Sequence, residues 1–171
     1  MTYVLSLLLR HLFLAAAVNC SVLYAFFPDG TKALITGHKT ETGFADGDGT
    51  KARFDNPSGI AVDCEGNVLV ANTRNHALRK VTLRCGSVST LAGNGEPGYA
   101  DRIGSAARFI DPWGIVVDAQ GAIFVANSDN HCLRQVAPNT RAVSTLADNP
   151  EDLGGLADGQ GAAAHFDICA G

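Results

Sequence analysis

The sequence predicts an all-β protein: a partial β-propeller of four-stranded antiparallel blades, two of them full, with flanking pieces. Three observations predict it. First, a block repeats. "GFADGDGTKARFDNPSGIAVD" (residues 43–63) aligns without a gap on "GYADRIGSAARFIDPWGIVVD" (residues 98–118), and more than half of the aligned positions are identical. The two blocks lie 55 residues apart, and self-similarity at a fixed spacing marks architectures that stack one structural unit per repeat. Second, the chain holds 19 glycines, and they fall between short apolar runs. That is the punctuation of many turns and short strands. Third, those strands carry apolar side chains on both faces. Ile60, Val62, Val68, Val70 and Val81 mark one side, and Ala61, Leu69 and Ala71 make the other partly apolar. A small sheet of that kind must be covered on both faces, as radial stacking in a propeller does.

The elements follow in order. Residues 1–27, "MTYVLSLLLRHLFLAAAVNCSVLYAFF", are the most apolar stretch. They resemble a secretory signal, although Arg10 lies inside the segment rather than before it. An uncleaved membrane anchor is the second reading, against which Arg10 and His11 near the middle would be costly. The expected location is therefore secreted or membrane-anchored through this segment, with a cytoplasmic chain as the alternative. The propeller region is expected over residues 31–171. "TKALITG" (31–37) is expected as the last strand of a preceding blade. Blade one covers about residues 54–92, with strands at 59–63, 68–72, 77–81 and 88–91 separated by turns. Blade two covers about residues 109–147 in the same pattern. A third repeat starts at 148–171, where "LADGQGAAAHF" matches "FADGDGTKARF" with two extra residues in its loop. A propeller closes with about four to eight blades. Further blades are thus needed to close it, and the chain reads as a fragment of a longer product.

The repeated pattern, "F-x-x-P-x-G-I-x-V-D" followed by "V-A-N-x-x-N-H-x-L-R-x-V", closely resembles the NHL repeat. The matching positions are Phe54, Pro57, Gly59, Asp63, Asn72, Asn75, His76, Leu78 and Arg79 in the first copy. In the second they are Phe109, Pro112, Gly114, Asp118, Asn127, Asn130, His131, Leu133 and Arg134. The copies depart from the commonest pattern where Asn72 and Asn127 replace Asp, where Ala77 and Cys132 replace Arg, and where Cys169 replaces Pro. The resemblance implies NHL-type propeller blades. It also implies an interaction platform, mostly for proteins and in some members for RNA.

Few residues carry chemistry. His76 and His131 would need converging partners to ligate a metal or act as a base. Their recurrence once per unit favours a structural role, with Asn75 and His76 ending a tight turn. Arg79 and Arg134 are expected to pair with Asp63 and Asp118, or with a neighbouring blade. Asp63 and Asp118 close the first strand of each unit and are the weak metal candidates. The competing role is a side-chain-stabilised turn. Asp46 and Asp101 are expected to bond their own glycine-rich loops. "DGDGTKARFD" lacks the Gly and Glu positions of an EF-hand loop. Trp113 is a candidate partner contact, against packing on the next blade. No nucleophile elbow, phosphate loop or dinucleotide fingerprint is present, so no catalytic residue and no cofactor is expected. The net charge of −4, with scattered Lys and Arg, disfavours nucleic acid. Five cysteines in no zinc-site spacing leave disulfides and buried thiols both open. The expected function is a non-catalytic scaffold that binds protein through the long loops at 37–57 and 93–112. The alternative is a piece of a six-bladed propeller enzyme of the metal-dependent lyase or lactone hydrolase type.

Overall fold

The computed structural model describes residues 3–9, 12–17 and 21–147, the first two runs as backbone only. It contains three antiparallel sheets. The first holds β1 (Tyr3–Leu9), β2 (Leu12–Ala17), β3 (Val22–Phe26) and β4 (Lys32–Gly37) in sequential order. The second holds β5 (Gly47–Asp48), β6 (Pro57–Val62), β7 (Val68–Asn72), β8 (Ala77–Thr82) and β9 (Ser87–Ala92), in the order β5-β9-β8-β7-β6. The third holds β10 (Pro112–Val117), β11 (Ile123–Asn127), β12 (Cys132–Val136) and β13 (Val143–Ala147), again sequential. The third repeat, 148–171, lies outside the described residues.

Each blade is a meander because its turns demand one. Gly66 and Gly121 take positive φ at the same point of the first hairpin in blades one and two, a conformation that costs glycine nothing. In the second hairpin a single 3-10 turn, Thr73–Asn75 or Ser128–Asn130, is closed by a histidine in the left-handed region. The strands then pair in register, Val70 opposite Arg79 and Val125 opposite Arg134.

The sheets stack face to face, as their two apolar faces require. One core lies between the first and second sheets: Leu23 and Ala25 meet Ala52, Phe54, Ile60, Val68, Val70, Val81 and Val88. The other lies between the second and third: Ala61, Leu69, Ala71, Leu78 and Leu91 meet Ala107, Phe109, Ile115, Ile123, Val125, Val136 and Val143. Every residue of β7 is buried, so this central strand feeds both cores. Full burial of each Leu, Ile or Val contributes about 1.5–3 kcal/mol.

β1, β2 and β3 pair with β4 in one sheet, which precedes blade one. Polar Arg10-His11 and Asn19-Cys20 divide the apolar run into lengths suited to strands rather than to one membrane-spanning helix. Ser21 also takes φ 50°, matching the φ 47° of His76 before the corresponding strand. Among the described residues no helix is long and apolar enough to cross a membrane.

The long loops also run along the edges of the blades. The loop after β4 runs along the outer edge of the second sheet, where β5 pairs with β9 through Gly47 opposite Val88. The Gly49 N–H bonds the Gly86 carbonyl, and the Thr36 hydroxyl bonds the Gly49 carbonyl. The next loop treats blade two alike, with Val143 N–H on Arg102 O and Gly104 N–H on Arg141 O. The outermost strand's free hydrogen-bonding edge is thereby occupied, which removes a template for strand addition.

Candidate functional site

The charged residues singled out in the sequence fall into three structural assemblies. In the first, Arg79 and Arg134 fasten each long loop to its blade. Arg79 is fully buried, and its guanidinium lies between the rings of Phe44 and Phe54, 4.9 and 5.1 Å from their centroids. It donates to the carbonyls of Arg53 and Ala45 and to Asp46 Oδ1, at 2.9, 2.7 and 2.7 Å. Arg134 repeats the assembly between Tyr99 and Phe109, with Arg108 O, Ala100 O and Asp101 as acceptors. The expected pairing with Asp63 and Asp118 is therefore corrected to Asp46 and Asp101. Those carboxylates do not fold back on their own loops either. Each also accepts the N–H and hydroxyl of a threonine on the outer strand, Thr90 or Thr145. Arginine suits this slot because its planar fork donates in several directions while its faces stack on rings. Burial lowers the Arg79 pKa from its ordinary value and Asp46 opposes that shift, and an arginine stays charged.

In the second assembly, the Asn-His elements hold turn, loop and blade together. The Asn75 side chain donates to Gly43 O at 2.6 Å, and Asn130 donates to Gly98 O at 3.1 Å. Asn72 Oδ1 accepts Asp55 N–H, and Asn127 Oδ1 accepts Ile110 N–H. The tight turn expected of Asn75 and His76 places its left-handed residue at His76 (φ 47°, ψ 39°), with Asn75 inside the 3-10 turn, and histidine is among the residues enriched there. Its Nδ1 accepts the Asp111 N–H at 3.2 Å, which crosses from blade one to the start of blade two. The Asp111 carboxylate lies at the same distance. Its pKa is raised by burial and by Asp129, against the pull of His76 and Arg74. The histidine is thus a blade-to-blade fastener in a way that sequence reasoning missed, because the partner is a backbone N–H.

In the third assembly, Asp63 and Asp118 fix the turns at the opposite end. Asp63 Oδ1 accepts the N–H groups of Glu65 and Asn67, and Asp118 Oδ1 accepts those of Gln120 and Ala122. Lys80 sits 3.1 Å from Asp63 and 3.2 Å from Glu65. Burial would raise the Asp63 pKa, but the Asn67 bonds and Lys80 outweigh it and hold the carboxyl below its ordinary value. These carboxylates serve as turn acceptors. Among the described residues no three His, Cys, Asp or Glu side chains gather as a metal site. Cys64 and Cys85 are exposed and not disulfide-bonded, and Cys132 is buried. A cleft of about 160 Å³ opens beside Asp63, Cys64 and Lys80 at the junction of blades one and two.

Trp113 is the second residue of β10 and is half-buried. Its carbonyl accepts the Ser58 hydroxyl at 2.8 Å, and the neighbouring Pro112 carbonyl accepts the Thr73 hydroxyl at 2.9 Å. Pro57, Gly59, Pro112 and Gly114 belong to the inner strands β6 and β10 that meet there. Leu78 is buried in the core between blades one and two, and Leu133 is its half-buried counterpart in blade two.

Comparison with known proteins agrees with this geometry. The NHL repeat family matches residues 54–81 and 109–136. NHL repeat-containing protein 2 of Gallus gallus is 30% identical over 152 residues, covering 82% of this chain and 21% of its own length. The chain therefore spans about a fifth of that relative. A crystal structure of a Bacteroides thetaiotaomicron protein of unknown function superposes with a TM-score of 0.70 at 28% identity, covering 84% of this chain and 35% of that one. A gluconolactonase of Xanthomonas campestris superposes with a TM-score of 0.59 at 15% identity, covering 80% and 43%, a likeness of fold alone. With both repeats built as the geometry above requires, the chain belongs to the NHL repeat proteins, on an open array of β-propeller blades.

Proposed function

We propose that this chain is part of a non-catalytic scaffold that binds a protein partner at the loop-bearing end of its blades. One observation carries the reading: the side chains with chemical potential are spent on internal bonds. Arg79, Arg134, Asp46 and Asp101 hold loops to blades, His76 bonds the next blade, and Asp63 and Asp118 bond their turns. A catalytic group needs a reacting atom within reach, and these groups face the protein's own backbone. The loop-bearing end instead offers half-buried Trp113 beside the turns that carry exposed Arg74 and Asp129. Aromatic and charged side chains on a rigid frame suit protein recognition. The pinned loops also lower the ordering cost of binding.

The test is site-specific photo-crosslinking in the full-length protein. A crosslinker at position 113 is expected to capture one defined protein partner. The same crosslinker at Arg84, in the exposed turn at the opposite end, is expected to capture none. Equal capture at both positions would refute the assignment. So would lactone hydrolysis by the purified protein that disappears on Asp63→Asn and Asp118→Asn substitution.

A further inference from the structure

We propose that His76 and Asp111 form a proton-operated latch at the junction of blades one and two: neutral His76 holds the Asp111 backbone, and protonated His76 releases it and takes the Asp111 carboxylate instead. The latch rests on one nitrogen with two partners. His76 Nδ1 accepts the Asp111 N–H at 3.2 Å, and Asp111 Oδ1 stands 3.2 Å from the same nitrogen. In a neutral imidazole, an accepting Nδ1 puts the ring proton on Nε2. The Nδ1 lone pair then satisfies the backbone N–H but faces the carboxylate with no proton between them. In the imidazolium both ring nitrogens are donors. Nδ1–H then opposes the backbone N–H and finds its acceptor in the carboxylate. One proton therefore exchanges a backbone-to-ring bond for a ring-to-carboxylate bond. Imidazole is the side chain that gains such a proton between about pH 8 and pH 5.

The rest of the junction stays closed while this bond is exchanged. The Ser128 N–H donates to Asp111 O, the Thr73 hydroxyl to Pro112 O and the Ser58 hydroxyl to Trp113 O. None of these groups titrates near neutral pH, so the exchange is confined to the Asp111 N–H and carboxylate. The charged groups around it are Arg74 on the His76 turn, Asp111 itself, and Asp129 on the corresponding turn of blade two. Arg74 and Asp129 are exposed, and water screens them. The His76 and Asp111 side chains are only 19% and 35% exposed, which strengthens their attraction once the ring is charged. The preceding junction supplies a contrast within the molecule. There Ser21 stands for His76 and Asn56 for Asp111. Asn56 shares the left-handed backbone, φ 48° against 45° for Asp111, but neither Ser21 nor Asn56 binds a proton in this range. Acid thus acts on one junction and spares the other. The consequence lies at the loop-bearing end, where Asp111 precedes Trp113 by two residues: its carboxylate is free at the higher pH and claimed by His76 at the lower. Only the use of that change in partner binding rests on the function proposed above.

Nitrogen-15 NMR of the full chain, titrated from about pH 8 to about pH 5, tests the latch without a partner. The His76 ring is expected to pass from the Nε2–H tautomer to the imidazolium. With the same midpoint, the Asp111 amide resonance should move and its protection against hydrogen exchange should fall severalfold. The Asn56 amide should stay constant throughout, which also reports an intact fold in each variant. His76→Asn tolerates the left-handed backbone but binds no proton, and is expected to flatten the Asp111 response. Asp111→Asn keeps the backbone N–H and removes the carboxylate that the protonated ring takes. Protection at residue 111 should match the parent at the higher pH and fall severalfold below it at the lower. A neutral His76 carrying its proton on Nδ1 would overturn the proposal. So would an Asp111 amide that ignores the His76 titration, or equal protection in the parent and Asp111→Asn at the lower pH.

Discussion

Arg79 shows how one side chain organises a loop of some twenty residues. Its removal has three separable costs. The slot between Phe44 and Phe54 empties, the carbonyls of Ala45 and Arg53 lose their donor, and Asp46 loses its cation. The last is the smallest, because the Asp46 side chain is 50% exposed and water takes over. The first resembles other large-to-small core changes, about 2–5 kcal/mol. Arg79→Ala should therefore lower unfolding free energy by about that amount. Arg79→Met, which refills the slot but donates nothing, should still lose about 1–3 kcal/mol for the unpaired carbonyls. Urea unfolding monitored by circular dichroism orders the two, and equal losses would show that the hydrogen bonds contribute little. Asp63 makes a different, pH-dependent contribution. Its folded carboxyl sits below the ordinary value. Its stabilisation is thus complete above about pH 4, the ordinary carboxylate range, and drains as pH falls through the folded value. Asp63→Asn should melt below the parent by a constant margin from neutral pH down to about 5, with the two curves converging under about pH 4. Parallel curves throughout would show that the charge is not what matters.

At the scale of the element, the junction between inner strands is decided by Gly59. A Cβ there would stand 2.4 Å from Trp113 O, 3.0 Å from Ile115 N and 3.2 Å from Gly114 Cα, all backbone of the neighbouring sheet. None of those atoms can rotate away, so β6 and β10 would have to separate. That would also stretch the Ser58 bond to Trp113 O. Gly59→Ala should cost about 1–3 kcal/mol, the usual penalty of overpacking, and should speed amide exchange in both β6 and β10. Gly66→Ala is the control. It meets nothing within 4 Å but has φ +81°, so its penalty is local backbone strain and exchange should change only in its own hairpin. The strands themselves were legible in the sequence because each face pattern recurs one repeat later, and β6 to β9 and β10 to β13 stand where that pattern put them. The partners of Arg79 and Arg134 were not. Asp46 and Asp101 lie in loops whose path along the outer strand depends on backbone pairing such as Gly47 with Val88, which carries no side-chain signal.

At the scale of the molecule, residues 1–27 carry two assignments, a leader and the strands that precede β4 in its sheet, and the sequence alone does not separate them. Ser21 stands where the next repeat has His76, and Tyr24 where it has Arg79, so the polar signature that identifies a blade is missing. What remains is an apolar run, and hydropathy alone does not distinguish a leader from strands buried between sheets. The two assignments make opposite predictions for a chain that starts at residue 28. A removable leader leaves the folded protein intact. A first blade does not: β4 loses its partner β3, with the register from Val22 opposite Gly37 to Phe26 opposite Lys32. Val22 and Leu23, exposed by only 1% and 2%, are lost from the core they share with Phe54, Ile60 and Val70. Each such side chain contributes about 1.5–3 kcal/mol, a large share of the 5–15 kcal/mol that typically holds a domain together. Comparing the full chain with residues 28–171 by thermal melting and size-exclusion chromatography should show a lower melting temperature and self-association through the uncovered face. An unchanged, monomeric melt would return residues 1–27 to the status of a leader, because strands that can be removed without cost are not part of the core.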